Sequence, residues 1–222
     1  PGGWARWLIP VVAATWSVFQ LSLPLVAPFV LGEWNALFPS LRLTLNEDVV
    51  RAVHLSFALV LVFLSFAALK RPRSWLPRFL SEKKRLPWVD LVLAVLAGGL
   101  ALYYIIDYSG IAARQGAPNA RDILVGVLLL ALLLEAARRS LGPALSVIAL
   151  GFIGYCFVNT SLPQIFAFGP VSLKRLVNQQ ILGTEGIYGV PLGVSATTVF
   201  LFVLFGMMLE KSGGGRFFVQ LA

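Results

Sequence analysis

The sequence predicts an all-α fold threaded through a bilayer, and three observations carry that prediction. From residue 186 to residue 209, GIYGVPLGVSATTVFLFVLFGMML passes without one charged side chain. A helix rising ~1.5 Å per residue covers roughly 36 Å over that run, more than the ~30 Å hydrocarbon slab. Apolar residues make up 58% of the chain and charged ones 13%, the latter about half the share usual in soluble domains. The third observation is repetition, because other apolar stretches nearly as clean precede the long run. The mean hydropathy is +0.83.

Lipid offers backbone groups no hydrogen-bond partners, so each uninterrupted apolar run reads as a helix. The first span covers residues 8–30, bracketed by Arg6 and Glu33, and Pro24 and Pro28 are expected to end or kink it early. The second covers 52–69. The third runs over 88–106, with Pro87 marking its start. The fourth is the weakest, since only 123–134 is free of charge, about 18 Å of helix. Its ends must be shielded by protein or reach headgroups. The fifth covers 141–158, and the sixth is the long run after Glu185. The prediction is therefore about six transmembrane helices plus one short interfacial helix. For the latter, Ser172 supplies an N-cap, Leu173, Leu176, Val177 and Ile181 share a face, and Gly183 ends it, so it is expected to lie flat at the outer surface.

Lysine and arginine in the connections set the orientation. With the N-terminus inside, the inner connections hold Arg6, Lys70, Arg71, Arg73, Arg78, Lys83, Lys84, Arg85, Arg138, Arg139, Lys211 and Arg216. The outer ones hold Arg42, Arg51, Arg114, Arg121, Lys174 and Arg175. Twelve against six favours a cytoplasmic N-terminus. In the basic stretch 70–85, Trp75 and Phe79 are placed to rest among inner headgroups, unless the stretch is a solvated loop that only fixes topology. Because the cations sit in these short loops, the net charge of +8 sets membrane orientation and does not imply nucleic acid.

Ionisable groups near a membrane interior are the first candidates for chemistry. His54, the only histidine, lies one turn after Arg51 near the outer end of its span. A proton relay is one reading; a structural hydrogen bond near the interface is the better supported one. Asp90 and Asp107 bracket the third span and Asp122 and Glu135 the fourth, where pairing with Arg51, Arg121 or Arg138 outweighs a cation path. Cys156 is the lone cysteine and suits no metal spacing. No nucleophile with an adjacent base, HExxH, phosphate loop or carboxylate pair occurs, so no catalytic site, metal site or cofactor is expected and the chain does not read as an enzyme.

The sixth span differs in texture. Gly186, Gly189, Pro191 and Gly193 stand at its mouth, then Ser195, Thr197 and Thr198, then Gly206 and the cluster Gly213, Gly214, Gly215. Small residues allow close helix approach in lipid. Ser195, Thr197 and Thr198 are weak ion-ligand candidates, weighed against hydroxyls that bond their own i−4 carbonyls or a neighbouring helix.

The segment TEGIYGVPLGVSATTVFLFVLFGMMLEKSGGGRFFVQLA, from Thr184 to Ala222, resembles the opening of the large membrane subunit of tripartite ATP-independent periplasmic (TRAP) transporters. RAVHLSFALVLVFL from Arg51 and LLLEAARRSLGPAL from Leu132 are similar to stretches of the fused-permease branch partnered by TAXI-type binding proteins. The resemblance covers about two fifths of the chain. It implies a small-subunit-like region at 1–137, a linking helix with the interfacial helix at 138–183, and the first helix of the large subunit with the start of the next at 184–222. It further implies secondary transport of organic acids, dicarboxylate-like in class, in a bacterial or archaeal cytoplasmic membrane. The implied partners are a TAXI-type periplasmic binding protein and the remainder of the large subunit, and sodium is the implied coupling ion. The helical hairpins that hold substrate and ions in that family are expected beyond Ala222, so no transport-site residue is carried over. Arg51, His54, Arg138, Arg139, Pro191 and the 213–215 glycines are expected to serve structure and topology. The alternative reading is a membrane assembly module that binds other subunits without transport.

Overall fold

The computed structural model describes residues 5–31, 47–66, 88–114, 116–158, 163, 165 and 168–214 of the 222-residue chain. The basic stretch 70–85 with Trp75 and Phe79, together with Glu33, Arg42, Pro87, Gly215 and Arg216, lies outside the described residues, as does the side chain of Arg6. Every element in the described part is helical: α1 (Ala5–Leu31), α2 (Glu47–Ser65), α3 (Trp88–Ile106), α4 (Tyr108–Ala113), α5 (Ala120–Ser140), α6 (Pro143–Val158), α7 (Leu173–Val177), α8 (Val190–Val194) and α9 (Phe200–Lys211). A π turn, Asn178–Leu182, extends α7, and another, Ser195–Val199, joins α8 to α9.

Four of these segments are long and apolar enough to cross a membrane: Trp7–Pro24 within α1, α2, α3, and the continuous Val190–Lys211. The third span holds to the residue. The second begins five residues earlier than its apolar run, because Glu47 and Asp48 in the first turn face the helix N-terminus, where the backbone dipole favours negative charge. Neither Pro24 nor Pro28 ends the first helix, since α1 continues to Leu31. α5 has the length, 21 residues, but carries Arg121, Asp122, Glu135, Arg138 and Arg139. α6 is apolar but only 16 residues long, about 24 Å at ~1.5 Å per residue. The sixth span starts as helix at Val190, not directly after Glu185.

Local signals explain the ends. Asn119 and Asp122 form a capping box on α5, in which Asn119 N donates to Asp122 Oδ2 at 2.9 Å. Gly142, at φ +101, turns the chain out of α5, and Pro143 opens α6. Ser172 caps α7 by accepting from Arg175 N at 3.2 Å.

Packing centres on α2 and α3, which run antiparallel. Ala94, Ala97, Gly98 and Ala101 form a buried stripe at helical spacing on α3, facing Ala52, Leu55, Leu59 and Phe63 of α2. Small residues bring the two backbones close enough for Ser56 Oγ to donate to Gly98 O at 3.0 Å. A Cβ at Gly98 would stand 2.8 Å from Val60 Cγ2. α5 adds Leu129 and Ala136 to this core. The short α7 turns its apolar face to protein. Leu176, Val177, Ile181 and Leu182 are buried in protein, with Val177 against Gly126 of α5, while Leu173 is 45% exposed. Gly126 leaves the space that Val177 fills, so the apolar face of α7 finds protein before it needs lipid.

Candidate functional site

Polar side chains gather at three places, and each joins helices. At the end of the bundle where α3 finishes, Asp122 is 1% exposed and accepts from Tyr103 Oη, from Arg114 Nε at 3.2 Å and Nη2 at 3.1 Å, and from Asn119 N. Asp107 accepts from Arg114 Nη2 at 2.7 Å and Arg121 Nη2 at 2.6 Å. The Arg114 hydrogen bond holds the Asp107 carboxyl below its ordinary value, and the same carboxylates, Asp122 first, push Arg114 up. Four charges therefore close on one another where the helices leave the apolar layer.

The opposite end has a matching cluster. Arg139 Nη1 donates to Asp90 Oδ1 at 2.7 Å and to Phe66 O at 3.4 Å, and Arg139 Nε donates to Glu135 Oε1 at 2.7 Å. Its guanidinium lies 4.8 Å from the Phe63 ring centre. Arg138 grips Glu135 through Nε and Nη2, both at 2.7 Å. The two clusters are separated along α3 by the rise from Asp90 to Asp107, about 26 Å, close to the ~30 Å of a hydrocarbon slab. This is how the short fourth span is accommodated: protein partners shield both of its charged ends.

The third place is a joint between α1, α2 and the last span. Gln20 is 1% exposed, and its Nε2 lies 2.5 Å from His54 Nδ1. On the other side of the ring, His54 Nε2 lies 3.3 Å from Ser195 Oγ. With the amide nitrogen facing it, Nδ1 accepts, and Nε2–H donates to the serine. Trp16 meets the imidazole edge-on at 5.0 Å and Phe200 at 4.8 Å. One turn away, Arg51 Nη1 donates to Tyr188 O at 3.2 Å, Nη2 pairs with Glu47 at 2.6 Å, and Nη1 lies 3.6 Å from Asp48. The guanidinium rests on Gly193, where a Cβ would come within 2.8 Å of Nε. Tyr188, fully buried, donates to Ala101 O at 2.8 Å and stacks on Tyr104 at 4.9 Å. Among the described residues, Trp16 Nε1, Gln20 Oε1 and Arg51 Nε are buried without a hydrogen-bond partner, and all three belong to this joint. Each such atom costs ~1–3 kcal/mol.

His54 thus makes structural hydrogen bonds, but to Gln20 and Ser195 on other helices. Of the three arginines expected to meet the bracketing acids, Arg121 pairs with Asp107 and Arg138 with Glu135, while Arg51 turns to Glu47 and Asp48 instead. Arg114 and Arg139 are the partners that sequence reasoning did not assign. Ser195 bonds the neighbouring helix, and Thr197 Oγ1 donates to Gly193 O, four residues back, at 2.9 Å, with Thr198 Oγ1 3.5 Å from it. Pro191 lies in the first turn of α8. A Cβ at Gly186 would collide with the backbone of Gln179 and Gln180, while Gly206 faces open space. Gly213, at φ +84, takes the chain out of α9, and Gly214 packs on Leu209. Gln20 and Tyr188 were not singled out in the sequence. The available signal is a lone amide within an apolar span, and a phenol hydroxyl among the glycines at the mouth of the last span.

Residues 128–222 match the family model for the tripartite ATP-independent periplasmic transporter, DctM component. The match begins within α5 and takes in Tyr188 and Ser195, so the joint ties the matched portion to α1 and α2, which precede it. It supports a TRAP-type membrane component. Searches of curated proteins and of solved structures return no match to the chain.

Proposed function

We propose that residues 1–222 form the static, supporting end of a TRAP-type secondary transporter, with the fused small-and-large-subunit arrangement of the TAXI-associated branch. In this reading a periplasmic TAXI-type protein captures an organic acid, dicarboxylate-like in class, and hands it to the permease. An inward ion gradient, sodium by family resemblance, drives uptake, and the moving parts that hold acid and ion are encoded beyond Ala222.

The match of residues 128–222 to the DctM component carries this reading. A supporting role agrees with the geometry, because the buried charged side chains Asp90, Asp122 and Arg139 are engaged in joining one helix to another. Charges committed in this way hold helices in place; they do not follow a moving substrate.

Proteoliposomes test the proposal. Residues 1–222 with the binding protein are expected to move no organic acid, and the chain continued through the remaining large component is expected to show sodium-dependent uptake. Uptake by 1–222 alone would refute the supporting role. Single cysteines placed in 70–85 are expected to react with impermeant thiol reagents only from the cytoplasmic side, since positively charged loops stay inside.

A further inference from the structure

We propose that the π turn at Ser195–Val199 is a latched two-state element: while Ser195 is bonded to His54 the last span is held one residue out of α register, and releasing that bond lets the helix close and turns α9 about its own axis.

The register change is visible in the backbone. Gly193 N bonds Gly189 O, four residues back, as in an α-helix, whereas Phe200 N bonds Ser195 O, five residues back. One extra residue in a turn offsets everything after it by about 100° relative to an unbroken α-helix, because each α residue advances the helix by roughly that angle. In lipid such a turn persists only where other groups satisfy or restrain the backbone. Here Thr197 Oγ1 supplies Gly193 O with a partner.

Side chains hold the turn from both ends. Ser195, its first residue, meets His54 Nε2 at 3.3 Å, and His54 is fixed from behind by Gln20. Phe200, the residue just after the turn, is held by the Trp16 ring. Gly193 and Ser195 thus face Arg51 and His54, one turn apart on α2, and removal of the serine contact removes the polar half of the grip. The grip is also incompletely satisfied, since the orphaned Trp16 Nε1, Gln20 Oε1 and Arg51 Nε all surround it. Beyond the turn, α9 has no buried residue among those described, so little packing opposes its rotation. Its half-buried side, Phe200, Leu201 and Leu204, faces the protein, while Phe202, Val203 and Phe205 are exposed. Closing the turn brings Val203, one position before Leu204, to the protein side and turns Leu201 and Leu204 away from it.

The test is an oxygen-accessibility scan by spin labels placed singly from position 200 to position 208, with the whole chain in nanodiscs on a Cys156→Ser background. The parent is expected to show low accessibility at Phe200, Leu201 and Leu204 and high accessibility at Val203. Ser195→Ala and His54→Leu are expected to protect 203 and expose 201 and 204, a phase shift of about 100°. Ser195→Thr keeps the hydroxyl and is expected to keep the parent pattern. Minima that stay at 201 and 204 in both disrupting variants would overturn the proposal, and so would protection lost at every position, which is what a merely loosened helix gives.

Discussion

Arg139 Nη1 sits 2.7 Å from Asp90 Oδ1 with the two side chains 3% and 8% exposed, so a nearly dry ion pair joins the end of α5 to the start of α3. Removing one partner of such a pair strands the other charge, which typically costs ~3–5 kcal/mol. Asp90→Asn is expected to fall toward the lower end, because Arg139 Nε keeps Glu135 at 2.7 Å. The paired replacement Asp90→Leu with Arg139→Met leaves no orphan charge and is expected to recover most of the loss. Reversible unfolding in mixed micelles measures both. An Asp90→Asn protein as stable as the parent would show that the pair anchors nothing.

Gly98 and Gly99 are neighbours in sequence with opposite surroundings. A Cβ at 98 would come within 2.8 Å of Val60 Cγ2 and 3.2 Å of Ser56 Oγ, and one at 99 meets nothing within 4 Å. Gly98→Ala is expected to destabilise by ~1–3 kcal/mol through overpacking against the stiff, β-branched valine. Gly99→Ala is expected to be neutral or to stabilise by up to ~1 kcal/mol through helix propensity alone. Equal effects at the two positions, read from the same unfolding curves, would contradict close packing of α2 on α3.

Tyr188 tests the joint from another side. Its hydroxyl adds one buried hydrogen bond to Ala101 O, a carbonyl on α3, while its ring fills space against Tyr104. Tyr188→Phe should lose only ~1 kcal/mol, whereas Tyr188→Ala opens a cavity and should lose ~3–5 kcal/mol. If the two substitutions proved equally harmful, the hydroxyl and not the ring would be holding the segment before α8 against α3.

Much of this architecture was legible before any coordinates, and the reason is specific to lipid. An apolar run in a bilayer has one backbone solution, so 88–106 emerged as α3 to the residue. The ends were harder to place, because they depend on short-range groups: Glu47 and Asp48 pull α2 five residues outward, and α1 continues past the prolines expected to end or kink it. The site was less legible than the fold. Periodicity places Arg51 and His54 on one face, but it does not say that Gln20 and Ser195, 34 and 141 residues away, close on the imidazole from opposite sides. A small-residue seam was expected in the glycine-rich last span, where Gly193 does lie under Arg51, but the buried stripe of alanines with Gly98 on α3 makes a second close approach. Alanine is common in apolar helices, so nothing in composition sets that stripe apart until a partner helix is laid against it.

The Asp107 cluster gives a pH dependence with a definite sign. Arg114 Nη2 at 2.7 Å keeps the Asp107 carboxyl below its ordinary value of 3.8. The folded chain therefore binds that proton less readily than the unfolded one. Whatever stability the contact adds is present in full above the ordinary carboxylate range and is lost as the pH falls through the depressed value, and it does not change near neutrality. The second partner, Arg121, is 62% exposed and adds little, because water and salt screen it. Asp107→Asn removes this titration, so the stability gap between parent and variant should be constant from about pH 8 to about pH 5 and shrink at lower pH. Unfolding midpoints across that range, at low and high salt, measure the gap. A gap that widens as the pH falls would mean the aspartate is bound more tightly when protonated, which contradicts an anionic partner for Arg114.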